Sequence, residues 1–161
     1  MDKEQALREH LLYLLDGGGA HISFASALKD FPVDLAGQKI PKLDHTAWQL
    51  VDHLRIAQWD ILKFIKNPDH TSPDYPHGYW PKKNAPADAQ AWYDAISAFS
   101  NDLEEIKTLV ADPEADLLSP FPHGSGQTLL REALLVADHN SYHIGQLVDL
   151  RMLLGVPVRD Y

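Results

Sequence analysis

The stretch ALLVADHNSYHIGQLVDLRMLLG, Ala133–Gly155, reads as the greater part of one long helix. Leu135, Val136, His139, Tyr142, His143, Gln146 and Leu150 share one face at helical spacing. The pattern extends back to about residue 126. Gly155 followed by Pro157 closes it, as a left-handed glycine and a proline that cannot continue a helix. His139 and His143 lie just over one turn apart, so both imidazoles leave the same side. Polar groups therefore cluster at mid-helix on a face that is apolar above and below. Burying them is costly unless they are bonded, so the cluster points to a lined cavity.

The rest of the chain supplies partners of the same kind. Trp92, Ile96, Phe99, Leu103, Ile106 and Val110 are spaced 4-3-4-3-4, a bundle seam, within a helix over about 86–111 that takes Pro86 into its first turn. Ala47, Leu50, Val51, Leu54, Ala57, Ile61 and Ile65 mark a helix over 46–66, stopped by Asn67-Pro68. A shorter helix over 2–15 presents Leu7, Leu11 and Leu14, widened by Leu12 and Leu15, and ends at Asp16-Gly17-Gly18-Gly19. Ser23 caps a brief helical piece over 23–30. No segment alternates with period two long enough to form a strand. The expected fold is all-α, a four-helix bundle with an extra short helix after the first, as one domain over 1–161. Long connections after the first and second main helices favour a crossover, up-down-down-up topology. The second of these, 68–86, contains SPDYPHGYWPKKNAP, and loops of that length usually carry function or wrap over something.

Composition narrows the function classes. The chain of 161 residues has no cysteine, which removes disulfides, thiolate metal sites and cysteine nucleophiles together. Fourteen basic against 23 acidic side chains leave a net charge of −9, a surface that repels phosphate backbones and anionic headgroups. Neither nucleic acid nor membrane is an expected partner. The start, MDKEQALREH, lacks the apolar run of a secretory signal, and no stretch approaches a membrane span, so a cytoplasmic location is the expectation.

Nine histidines in 161 residues produce by chance about 0.5 pairs four apart, so His139/His143 alone carries little. On spacing alone, two core-edge histidines with ordinary acceptors account for it. His53 changes the weight: it lies on or beside the apolar face at the middle of the second main helix, between Leu50 and Ala57. Gln49 is one turn earlier and Asp60 two turns later. Three mid-helix histidines from two facing helices make a three-nitrogen site with an open position, the geometry of catalytic rather than structural metals. Among the others, His21 and His77 are candidates for the mouth of a pocket, and Trp80, with Tyr75 and Tyr79, is hard to assign to packing alone.

The segments TAWQLVDHL (46–54) and DHNSYHIGQL (138–147) resemble the DinB/YfiT-like superfamily. The resemblance covers most of the chain in helix order, including the long connection after the second helix. It implies a four-helix bundle whose metal site takes one histidine from the second helix and an H-x-x-x-H pair from the fourth. By position these are His53, His139 and His143. The first helix here is shorter than relatives usually have. The resemblance further implies a metal-dependent hydrolase or a thiol-dependent S-transferase, with small-molecule substrates and a homodimer as the common assembly.

The expected chemistry follows. Three neutral imidazoles hold a divalent ion, zinc or nickel, which lowers the pKa of a water or of a substrate thiol. Since the chain has no cysteine, a thiolate must come from a low-molecular-weight cosubstrate. Gln146, one turn beyond His143, is the leading outer contact, with Gln49 and Tyr142 beside it. No carboxylate is clearly placed as a general base; Asp60 lies about 10 Å from His53 along the helix. The alternative is a non-catalytic bundle that binds metal or ligand or pairs with a partner along Leu147, Leu150, Leu154 and the first helix.

Overall fold

The computed structural model describes residues 2–17 and 19–158. Five α-helices account for the architecture: α1 (Lys3–Leu15), α2 (Phe24–Leu28), α3 (Ala47–Lys66), α4 (Ala89–Ala111) and α5 (Leu129–Leu153). Four of them are long, and no named strand occurs among the described residues. Single 3-10 turns lie at Val33–Leu35 and His77–Tyr79. No helix among the described residues is long and apolar enough to cross a membrane.

Each start is set by a side-chain cap. Asp2, Ser23, Thr46, Asp88 and Thr128 each accept a backbone N–H of the first turn. Two starts thereby differ from the sequence expectation. Pro86 is not in the first turn of α4, because Asp88 takes the cap by accepting from Ala91 N at 2.8 Å. Helix α5 starts at Leu129 rather than near 126, because Gly126 sits at φ +107° and Thr128 caps. Gly155 (φ +74°) ends α5 as expected: Val156 N bonds Arg151 O and Gly155 N bonds Met152 O, a Schellman closure. Of the glycine run after α1, Gly18 lies outside the described residues.

The buried stripe of α1 is Arg8, Leu11 and Leu15 rather than Leu7, Leu11 and Leu14; Leu14 is exposed. Arg8 turns inward because its guanidinium reaches the Val110 and Ala115 carbonyls. In α5, Leu147 and Leu150 of the strip suggested for a partner are core, Leu154 is half-buried, and on α1 Leu14 is exposed.

Packing forms two apolar clusters stacked along the bundle. One gathers Phe24, Leu50, Leu54, Trp92, Phe99, Leu147 and Leu150, and the other Leu11, Leu62, Ile106, Val110, Leu117 and Val136. Between them, Asn140 Nδ2 donates to Gln58 Oε1 and Gln58 Nε2 donates to the Phe99 carbonyl, joining α5, α3 and α4.

Residue pairs show how α3 and α4 lie. Thr46 bonds Asn84 O just ahead of α4, Gln58 bonds Phe99 O, and Lys66 pairs with Glu105. Numbers rise together, so the two helices run in the same direction. Segment 67–88 must therefore return the full length of α3, about 30 Å at the helical rise. It does so pinned to α3: His70 and Tyr79 bond Asp60, Tyr79 O faces His53, and Asn84 O meets Thr46. The length that marked this loop in the sequence is a geometric requirement, and its path crosses the face bearing His53.

Candidate metal centre

Helix α3 presents His53, and α5 presents His139 and His143 from consecutive turns. His53 Nε2 lies 3.0 Å from His139 Nε2 and 3.1 Å from His143 Nε2. All three can offer a ligand atom within 4.8 Å of the others, so the cluster could hold a metal ion.

The outer ring nitrogens decide which atoms face inward. His53 Nδ1 lies 2.9 Å from the Tyr79 carbonyl, which only accepts, so Nδ1 carries the proton and Nε2 is a bare lone pair. His143 Nδ1 likewise donates to Gln146 Oε1 at 2.7 Å. Burial pushes the His53 pKa down to about 4, with the Tyr79 bond opposing and His143 and His45 adding to the shift. His139 is pushed down to about 3 by burial and by its two histidine neighbours. His143 is lowered by burial, against the Gln146 bond. The rings are neutral near pH 7, and His53 and His143 turn bare Nε2 atoms inward. Ligands about 2.0 Å from a tetrahedral ion stand roughly 3.3 Å apart, so the observed spacing fits one cation between them.

The loop completes the surroundings. The Trp80 ring stacks on His53 with centroids 3.8 Å apart and planes within 1°. Its other partner is His45, also at 3.8 Å and 11°. Tyr79 donates its hydroxyl to Asp60 Oδ2 at 2.6 Å, and burial together with that bond pushes its pKa up to about 12. The second Asp60 oxygen bonds His70 Nε2 at 2.7 Å. Two clefts meet at the histidines. One, about 520 Å³, is lined by all three with Ala57, Ile61, Leu135 and the aromatic rings of Tyr75, Trp80 and Tyr142. The other, about 440 Å³, is more polar and brings Lys42, Asp44, His45, Gln146 and Asp149 to the far side of Trp80 and His143.

The remaining sequence candidates sort by these contacts. Gln146 bonds His143, and Tyr142 lies edge-on to it at 4.9 Å while bordering both clefts. Gln49 Oε1 accepts the Thr46 N–H as the return half of a capping box. His21 lines a different cavity with Ser141, and His77 is exposed in the 3-10 turn. Asp60 borders the larger cleft, yet both its oxygens are taken by the loop. His45 and His70 were missed; each meets its partner across a non-periodic segment, and nothing in helical spacing marks such a contact.

Fold and site together define an all-helical bundle with a three-histidine centre in its wall. A family model describing the DinB superfamily matches residues 21–147, and the chain belongs to that superfamily. No curated protein and no solved structure gives a significant match.

Proposed function

We propose that His53, His139 and His143 hold one divalent cation through Nε2 and that the protein is a metal-dependent enzyme acting on a small molecule. The observation that carries this reading is His53 Nε2 lying 3.0 Å from His139 Nε2 and 3.1 Å from His143 Nε2 within a cleft wall, with the His53 and His143 protons held on Nδ1. Bound there, zinc or nickel supplies Lewis acidity that lowers the pKa of a water or a cosubstrate thiol. The chain's own residues do the rest. Tyr79 O and Gln146 Oε1 hold two rings in the ligating tautomer. Trp80 fixes the plane of His53 and screens it from solvent.

The lining argues the substrate class. Among the described residues no Lys or Arg borders the larger cleft, whose walls are largely apolar and aromatic beside Asp60 and Asp138. It suits a neutral organic electrophile. The polar cleft beyond Trp80 suits the hydrophilic body of a thiol cosubstrate, and hydrolase or S-transferase chemistry both fit.

One observation favours a passive binder instead. Asp60, the buried carboxylate in the larger cleft, is consumed by His70 and Tyr79, which leaves no free buried base. Elemental analysis of purified protein, before and after loading with zinc or nickel, tests the centre. About one ion per chain is expected, and none in His53→Ala or His143→Ala. A wild type that holds no ion even when supplied defeats the proposal. A turnover screen of electrophiles with low-molecular-weight thiols or water, metal-loaded against metal-free, then separates enzyme from binder.

A further inference from the structure

The 2.9 Å hydrogen bond from His53 Nδ1 to the Tyr79 carbonyl fixes the tautomer of the ring but not its tilt. An N–H bond lies in the plane of its ring, so the imidazole can pivot about the N–H···O line and keep it. A flat contact on the ring face opposes that pivot. Trp80 makes one, with centroids 3.8 Å apart and planes within 1°.

Trp80 needs holding in its turn. It is half-buried, it lies on the aperiodic segment 67–88, and its indole makes no hydrogen bond among the described residues. On the side away from His53 lies the polar cleft of about 440 Å³, room into which the indole would otherwise swing. His45 closes that side, its ring 3.8 Å from the indole at 11°. Two imidazoles thus grip the indole between them.

The start of α3 places His45 for this. The next residue is the N-cap Thr46, which is 1% exposed, accepts the Gln49 N–H and donates its hydroxyl to Asn84 O at 2.6 Å. The cap therefore ties the backbone beside His45 to the helix and to the far end of the loop. The His45 ring itself makes no hydrogen bond among the described residues, so the stack is its principal contact. Burial lowers the His45 pKa, against the pull of the Asp44 carboxylate, so the ring brings no positive charge near the three histidines at pH 7.

We propose that His45 is a positioning residue for the metal centre. It pins Trp80 from behind, and Trp80 holds the His53 ring at the tilt that turns Nε2 toward His139 and His143. This role rests on the reading of those three histidines as a metal centre. It requires a flat ring at position 45 and no particular ring nitrogen.

The test is a double-mutant cycle on the full chain. Zinc affinity is read by competition with a chelator of known affinity, and the thermal midpoint of each metal-free variant is read beside it. His45→Ala should still take up about one zinc per chain but bind it about tenfold more weakly. His45→Phe, which keeps a flat ring, should stay close to wild type. Trp80→Ala should lose at least as much as His45→Ala, and combining the two should cost nothing more, because the effect of one runs through the other. If His45→Ala fails to fold, His45→Leu, with bulk but no flat ring, takes its place. Wild-type affinity in the variant lacking the ring, with or without a lowered midpoint, would reduce the stack to packing and overturn the proposal. So would additive losses in the double variant, or a His45→Phe as weak as His45→Ala. A wild type that takes up no zinc defeats the metal centre and this role together; a wild type that binds zinc with a flat cycle defeats the role of His45 alone.

Discussion

Two sets of buried nitrogen side chains in this bundle behave in opposite ways. Arg8 and Arg151 are 6% and 3% exposed, yet each is surrounded by acceptors. Arg8 donates to the Val110 and Ala115 carbonyls and to Glu4; Arg151 donates to the Ala27, Lys29 and Val156 carbonyls. His53, His139 and His143 are buried to a similar degree in two cases of three, but His53 and His143 turn bare Nε2 lone pairs toward the cluster. A buried cation matched to carbonyls ties chain ends to the core. Facing lone pairs are a cost to the fold that a bound cation would relieve. Burial alone does not separate structural from functional polar groups; what faces them does.

The sharpest way to break this contrast is to remove one member of the histidine set. His143→Ala should abolish stoichiometric metal while leaving a folded helical protein, because the hydrogen bond the alanine deletes, to Gln146, is local to the same helix. In wild type, metal at a hundredfold excess over Kd should add about 2.7 kcal/mol, a Tm rise of roughly 5–10 °C at this chain length. Differential scanning calorimetry with and without a chelator reads both. An equal metal-dependent rise in His143→Ala would mean the ion binds elsewhere.

Arg151→Met should act the other way round. Stranding three carbonyls costs about 3 kcal/mol, read as a lowered midpoint in urea, while metal content stays near that of wild type. Loss of metal without loss of stability would invert the roles argued for the two sets.

Acid should expose the same difference through linkage. The folded-state pKa values of His53 and His139 are pushed down to about 4 and about 3, below the unfolded value of about 6.5. Below pH 6.5 the unfolded chain therefore takes up more protons than the folded one. The apo protein should lose stability progressively as pH falls from about 6.5 toward 4, and this component should be absent above pH 7. Urea midpoints of apo protein at pH 7, 6 and 5 check it. His139→Ala should flatten the profile, and an unchanged slope would show that other groups carry it.

How much of this was legible in the sequence depends on what each contact is made of. The α4 seam obeys helical spacing, so periodicity placed it; the His53/His139/His143 set obeys it too, but its grouping needed the setting on two apolar faces and the family resemblance. Arg8 was not legible, since a charge on an amphipathic helix reads as solvent-facing until Val110 O and Ala115 O are known to be waiting. Pro86 looked like a helix start because its fixed φ suits one, but Asp88 offered the hydrogen bond that the proline could not. The His45–Trp80–His53 stack and the Asp60 bonds to His70 and Tyr79 join an aperiodic loop to helix α3 or its N-terminal approach. The loop's aromatic content hinted at a role; its return path along α3 set the contacts.

The finest distinction lies within the metal centre's own support. Gln146 Oε1 and Tyr79 O do the same job on different rings, but one is a side chain and the other is backbone held by a loop. Gln146→Leu keeps the shape of the helix face and frees His143 Nδ1, whose proton can then move to Nε2. The wrong tautomer must be reversed before binding, so metal affinity should fall about tenfold, near 1.4 kcal/mol. Tyr79→Phe leaves the carbonyl in place and removes only the bond to Asp60, so it should weaken metal binding by less. Competition titrations against a chelator of known affinity rank the two. If Tyr79→Phe proves the more damaging, the loop rather than α5 sets the geometry of the centre, and Asp60 becomes the residue on which that geometry rests.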